Sequence, residues 1–160
     1  SGMFFFTSNK DTPLITRKFE ITDNVIPASN SSIAKSLFLL GHILLDKKYL
    51  DIANQMVQNI KADIPQYGPG YSNWANLILH NVFPFYEVVI VGNNARDIQK
   101  EFFKKNYLPN KITIGSKTTS NLQVLKDKFV KGKTTIYVCK NGACQQPTSK
   151  IDDAIMQIIY

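Results

Sequence analysis

The sequence is poor in the residue types on which several functions depend. Arginine occurs only at Arg17 and Arg96, so bidentate recognition of phosphate or guanine has little to build on, and no nucleic-acid partner is expected. The two cysteines would supply only half of a four-ligand zinc site, and neither a metal nor a cofactor is expected. Glycine is missing where a phosphate loop needs it. After the apolar run Val88-Val89-Ile90-Val91 only Gly92 precedes Asn93-Asn94-Ala95, which satisfies neither the dinucleotide fingerprint nor a P-loop and reads as a tight βα turn. The longest nearly unbroken apolar run, residues 37–45, includes Gly41 and His42 and is about half the ~20 residues that span a bilayer, so no membrane partner is expected. The N-terminus has no basic region, long apolar core or small-residue cleavage site, which leaves secretion unsupported and a cytoplasmic location expected. Ser1-Gly2 reads as a remnant of tag removal, and the aromatic run Phe4-Phe5-Phe6 directly behind it reads as the interior of a longer natural sequence.

What is present suits a folded chain. With 44% apolar and 11% aromatic residues over 160 positions, a core for one domain or two small ones is within reach. The net charge of +7 is uneven: residues 1–85 carry seven basic and six acidic side chains, residues 86–160 twelve and six. The excess is almost all Lys. It makes either a solvated surface or a face for a nucleic acid or an acidic partner, and the scarcity of Arg weighs against the nucleic acid.

Along the chain, residues 3–8 and 14–22 are rich in aromatic and β-branched types around Asn9-Lys10-Asp11-Thr12-Pro13, which predicts a β-hairpin. Helices are predicted over 31–45, with Ser29 or Asn30 as N-cap, over 48–64, and from Ser72 to Val82 with Ser72 as cap. The first and third spread apolar residues too widely for one buried stripe and should be well covered, while the second has one wet face. That alternation suits the inner and outer layers of an (α/α) toroid. At Pro84 the texture changes to strand and helix in turn: strands at 87–92, 111–114 and 134–139, helices at 95–105, 119–129 and 151–159, the last capped by Ser149. The division is therefore 1–83 and 84–160. The expected class is α+β overall, a hairpin and three toroid-type helices followed by a small three-stranded, mainly parallel α/β domain.

Three groups could carry chemistry. Cys139 and Cys144 flank Lys140-Asn141-Gly142-Ala143, and Asn-Gly favours a two-residue turn that pairs Lys140 with Ala143 and sets the cysteines opposite each other, within disulfide reach. Reduced structural thiols, a redox-responsive pair and a metal site all stay open, and a cytosolic setting weighs toward the first. His42 and His80 lie on apolar helices and read either as acid-base groups or as hydrogen-bonded core histidines. Asp23, Asn30 and Ser31, with Arg17 upstream, form a polar group dense enough to bind or protonate a polyol, although helix capping explains much of it.

The ordered set Phe4-Phe5-Phe6-Thr7, Arg17-Lys18, Asp23 through Pro27 to Asn30-Ser31, Tyr71-Ser72, Glu87 through Gly92, and Tyr137-Val138-Cys139 with Asn141, Cys144 and Pro147 resembles a known family. It is the thioredoxin-domain-containing family of bacterial YyaL-type and spermatogenesis-associated thioredoxin-like proteins. The resemblance covers nearly the whole chain, with Ala28-Ser29 standing where members more often show Ser-Gly. It implies a parent with an N-terminal thioredoxin-like domain, an (α/α)6 barrel similar to N-acylglucosamine epimerases and six-hairpin glycosidases, and a C-terminal tail. This chain would be the last barrel hairpins plus that tail. On that footing Asp23 and Asn30 are candidate catalytic residues of a partial sugar site, Arg17, Ser31 and Tyr71 candidate substrate contacts, and Cys139 and Cys144 a candidate redox pair. The expected ligand of the parent is a carbohydrate. The expected partners are the parent's own upstream domains and a second copy of this chain, and the rival reading is a non-catalytic module docking through its Lys-rich half.

Overall fold

Asn30 determines how the N-terminal segments are held. The computed structural model describes residues 2–12, 15–105 and 107–159. The expected tag remnant at Ser1, the end of the expected turn at Pro13 and the start of the expected second strand at Leu14 lie outside them. Within them, Phe6 N donates to Lys18 O at 3.0 Å, the beginning of an antiparallel ladder. At the next position the Asn30 side chain intervenes: its Oδ1 accepts from Phe4 N at 2.8 Å, and its Nδ2 donates to Phe4 O and Glu20 O, both at 2.9 Å. An amide standing in for a backbone rung satisfies both segments, so the predicted hairpin is present as paired chains but not as β-strands. Phe5 and Phe19 meet edge to face at 5.1 Å, and the Arg17 guanidinium lies 4.4 Å from the Phe5 ring centroid.

The chain divides into two compact units, one of residues 1–40 and Lys47–Val82, the other of Gly41–Asp46 and Phe83–Tyr160. Helices α1 (Ser29–Leu44), α2 (Lys47–Ile60) and α3 (Ser72–Val82) follow the predicted positions. The second is shorter than expected, because Pro65 starts a 3-10 turn, Ile64–Gln66, that a continuing α-helix would not accommodate. In the first unit α2 buries Ala53, Met56, Val57 and Ile60 on one face, as its periodicity requires. Helix α3 was expected to be covered on several sides. Instead it buries Trp74 and Leu77 and leaves Leu79 and Val82 48% and 69% exposed, with Leu40 of α1 exposed at 40%.

In the second unit β1 (Tyr86–Val91) is central. Val88, Val89, Ile90 and Val91 are no more than 1% exposed, because both faces of the strand are covered. The sheet order is β2-β1-β3-β4, with β2 at Lys111–Ser116, β3 at Thr135–Lys140 and β4 at Ala143–Cys144. Only β1 and β2 are parallel, and β3 is antiparallel to both β1 and β4. The expected three-stranded, mainly parallel sheet is therefore a four-stranded mixed one. The cause lies in residues 119–129, where the predicted crossover helix is replaced by a single 3-10 turn, Gln123–Leu125, with Asp127 at φ 59°. A parallel return is usually carried by a helix, and here, with no helix in the connection, β3 runs antiparallel to β1.

Helices α4 (Ala95–Lys105) and α5 (Ile151–Ile159) cover one face of the sheet around Phe102, Ala154 and Ile155. Val124, Leu125 and Leu45 cover the other. Ahead of α5 the Thr148 hydroxyl accepts from Lys150 N and donates to Asp153 Oδ2 in the first turn, both at 3.1 Å, so Thr148 rather than the expected Ser149 braces the start of the helix. The turn between β1 and α4 leaves no room for a side chain. Gly92 has φ 134°, and a Cβ there would collide with the Lys133 carbonyl and lie 2.6 Å from the Thr134 Cα. We expect Gly92→Ala to cost about 2 kcal/mol or more, because φ strain and a clash with backbone coincide. A fall in the urea midpoint at unchanged slope would show it, and an unchanged midpoint would refute this account of the turn.

Candidate functional site

Each unit holds one buried polar centre. In the first, Asp23 is 5% exposed, and its Oδ1 accepts from Ala28 N at 2.9 Å and lies 2.8 Å from the Ser31 hydroxyl. Its Oδ2 accepts from Asn73 N at 2.9 Å. One carboxylate thus serves the N-termini of α1 and α3, where unpaired amides and the helix dipoles both favour negative charge. Asp23 N donates to Gly70 O at 2.7 Å, next to the buried Tyr71, and Trp74 Nε1 donates to Ile21 O at 2.7 Å. Distant Asp23 therefore does what the sequence suggested of Ser72, Ser29 and Asn30. Ser29 N is held by Glu20 Oε2 at 3.1 Å, and no residue of this loop has positive φ, so Ser29 sits there without backbone strain.

Among the five residues marked for a sugar site, Asp23, Asn30 and Ser31 come together, and the buried Tyr71 follows Gly70, whose carbonyl accepts from Asp23 N. Arg17 does not join them. It is half-buried, donating from Nη2 to Thr7 O at 2.7 Å while its guanidinium lies over Phe5. The atoms of Asp23 and Asn30 that a sugar would need are engaged by the chain's own backbone.

In the second unit the centre is Glu87, fully buried in the middle of the sheet. His42, 4% exposed, hydrogen-bonds through Nδ1 to Glu87 Oε1 at 2.5 Å, and the Gly142 N–H donates to Oε2 at 3.3 Å. The Phe85 ring lies 4.6 Å from the His42 ring and shields the pair. His42 is a hydrogen-bonded core histidine, one of the two readings its position allowed. His80 stacks on Phe38 at 5.8 Å. Glu87 was missed because it sits in a run that reads as apolar strand, although an acidic residue there is itself the signal that a buried partner must exist.

Glu87 pairs across the sheet with Cys139, and Cys139 with Cys144. Directly paired residues project from the same face, so the three side chains form one row. Asn141 and Gly142 take φ 52° and 80°, the positive values of the two-residue turn that Asn-Gly favours, and Lys140 pairs with Ala143. In this register the two cysteines are joined as a disulfide, so they are not the free thiols toward which the cytosolic setting weighed. Closing so short a loop contributes only about 2 kcal/mol in the chain-entropy account.

Elsewhere on the unit, an open cleft of about 370 Å³ is lined by Phe103, Lys104, Lys105, Tyr107, Leu108 and Lys111. Lys111 Nζ stands 4.4 Å from the Phe103 ring centroid and 5.5 Å from that of Phe102. Burial pushes its pKa below the usual lysine range. The anion-binding potential of the β1–α4 turn is reduced because Asn94 N already donates to the Thr134 hydroxyl at 3.1 Å. Among the described residues no group of three or more His, Cys, Asp or Glu is placed to hold a metal ion, and no helix is long and apolar enough to cross a membrane.

No protein-family model, curated protein or solved structure matches the chain.

The geometry of the first centre gives a direct test of what Asp23 does. Asp23→Asn turns an acceptor into a donor facing either Ala28 N or Asn73 N, and should cost about 1–3 kcal/mol of stability. Urea unfolding of the variant checks this, and wild-type stability would show that the carboxylate is not a structural cap.

Proposed function

We propose that this chain is a C-terminal part of a thioredoxin-domain-containing protein of the YyaL type, non-catalytic by itself, whose α/β unit docks an acidic polypeptide segment. The observation that carries the docking reading is Lys111, an ammonium held over two aromatic rings on the wall of an open cleft. Burial that lowers its pKa means that its charge is kept at a cost to the folded protein, and a carboxylate seated beside it would offset that cost. Lys104 extends the positive wall beside Lys105, which is paired with Asp152 at 2.6 Å, and Phe103 and Tyr107, 55% and 91% exposed, offer apolar contact next to it. The cleft adjoins β2, an edge strand of the sheet, where an extended segment can add backbone pairing.

The sign of the Lys111 effect separates function from stability. A cation whose folded pKa is depressed costs stability fully at pH below that pKa, and the cost falls away as pH rises from there to the unfolded-state value. Lys111→Met keeps the contact with the rings and removes the charge, so the urea midpoint at neutral pH should hold or rise. The same variant should bind a labelled oligoglutamate peptide about tenfold more weakly by fluorescence anisotropy, and wild-type binding should weaken with added salt. Binding indifferent both to salt and to Lys104→Glu with Lys105→Glu would sink the docking reading.

A second reading concerns the parent. The exposed Leu40, Leu79 and Val82 on widely apolar α1 and α3 are what helices of an (α/α) barrel would leave open without their neighbours, and they favour a sugar-processing-like barrel upstream. In that barrel Asp23 and Asn30 would border the mouth, holding helix ends rather than reacting. With this face open the chain should pair with a second copy, and sedimentation should report a dimer that Leu79→Glu with Val82→Glu returns to monomer. Monomers at high concentration in the parent sequence would count against it.

A further inference from the structure

We infer that Cys139–Cys144 is a thiol–disulfide exchange site, entered at Cys144 and served by a dithiol; this goes beyond the docking reading and does not depend on it. The two sulfurs are unequal. Cys139 is 2% exposed in the central part of the sheet, whereas Cys144 lies exposed on the two-residue strand β4. An incoming thiolate can reach only one of them, and attack on a disulfide requires access to the sulfur attacked. Cys139 is then the leaving sulfur, and its buried setting favours its uptake of a proton to become the thiol. Its neighbour in the row is Glu87, whose oxygens are held by His42 and by the Gly142 N–H of the turn that carries the bridge.

The hairpin also lets the bond open without dismantling the sheet. Lys140 pairs with Ala143 on one side of the bridge, and Gln145 N donates to Val138 O at 2.9 Å on the other. The turn keeps its backbone pairing when the sulfurs separate. Beyond it, Gln145 Nε2 donates to Gln157 O and Gln157 Nε2 to Gln146 O, both at 2.9 Å, which ties the segment after β4 to α5. The reduced form therefore has a defined place for both thiols.

The exchange balances as follows. One thiol of the dithiol loses its proton and attacks Cys144 Sγ, forming a mixed disulfide, while the Cys139–Cys144 bond breaks with its electron pair on Cys139 Sγ. The second thiol of the reductant loses its proton and attacks its partner sulfur in the mixed disulfide, expelling Cys144 as thiolate. Both protein sulfurs take up a proton, matching the two released by the dithiol. The protein pair is reduced by two electrons and the dithiol becomes a disulfide.

The test treats the native chain with dithiothreitol or with reduced thioredoxin at equal dithiol concentration, alkylates at intervals and locates the label by mass spectrometry. Both reductants should open the bridge in the folded protein. A faster rate with thioredoxin assigns the site to a protein dithiol, and equal rates assign it to small dithiols. In parallel, Cys139→Ser leaves Cys144 to react with an aromatic disulfide reagent at least about tenfold faster than Cys139 reacts in Cys144→Ser. Circular dichroism confirms that both variants are folded. A bridge that opens only in denaturant, or two variants that react equally fast, would overturn the assignment.

Discussion

A carboxylate with no access to water sets the terms for the α/β unit. Glu87 occupies the central strand at a position whose strand neighbours are all apolar, so its two oxygens must be satisfied from other elements. One partner is His42 and the other is the Gly142 amide. These come from the last turn of α1 and from the β3–β4 turn, so the requirement of a single side chain gathers three stretches far apart in sequence. It also explains why Gly41–Asp46 groups with residues 83 onward rather than with the rest of its helix. Removing one member of such a buried hydrogen-bonded pair leaves the other unsatisfied, which typically costs about 1–3 kcal/mol or more, above what a typical surface ion pair contributes. By comparison, the ion pairs of this chain at Lys100–Asp97 and Lys105–Asp152 have largely exposed side chains and add little.

The first unit follows the same logic with a different acid. Asp23 reaches Ala28, Ser31 and Asn73, and so fixes where two helices begin. Asn30 reaches Phe4 and Glu20, and so closes a pairing that the backbone alone leaves open. In both cases a polar side chain provides what secondary structure does not. A residue used in this way is hard to use again for catalysis, because a reacting group has to exchange its hydrogen bonds with a substrate, and here those partners are backbone groups that would be left buried and unpaired.

How much of this is legible in the sequence depends on whether the signal is local. Helices α4 and α5 appear with the predicted bounds, because their periodicity and acidic first turns are contained within a dozen residues. The turn at Asn141-Gly142 and the pairing of Cys139 with Cys144 were legible for the same reason. What was not legible depended on distance. Asp23 caps a helix fifty residues away, Asn30 replaces a rung between two other segments, and the direction of β3 follows from a crossover helix that failed to form. Polar density around Asp23 was visible, but the same density announces a cap or a site, and only its partners separate the two.

The cysteine pair shows where composition misleads and geometry corrects it. Under the cytosolic setting expected from the sequence, two cysteines point to free thiols, since reducing compartments disfavour permanent bridges. Yet the Asn-Gly turn places the two side chains opposite each other whatever the compartment, so the sulfurs lie within bonding reach in either redox state. The bridge adds little to stability, because the turn already holds the ends of so short a loop together. A bond that contributes little to the fold, with one sulfur exposed and the other buried beside Glu87, can be made and broken while the sheet stays intact. The compartment then selects which state is populated, and the fold supplies the place where the change occurs.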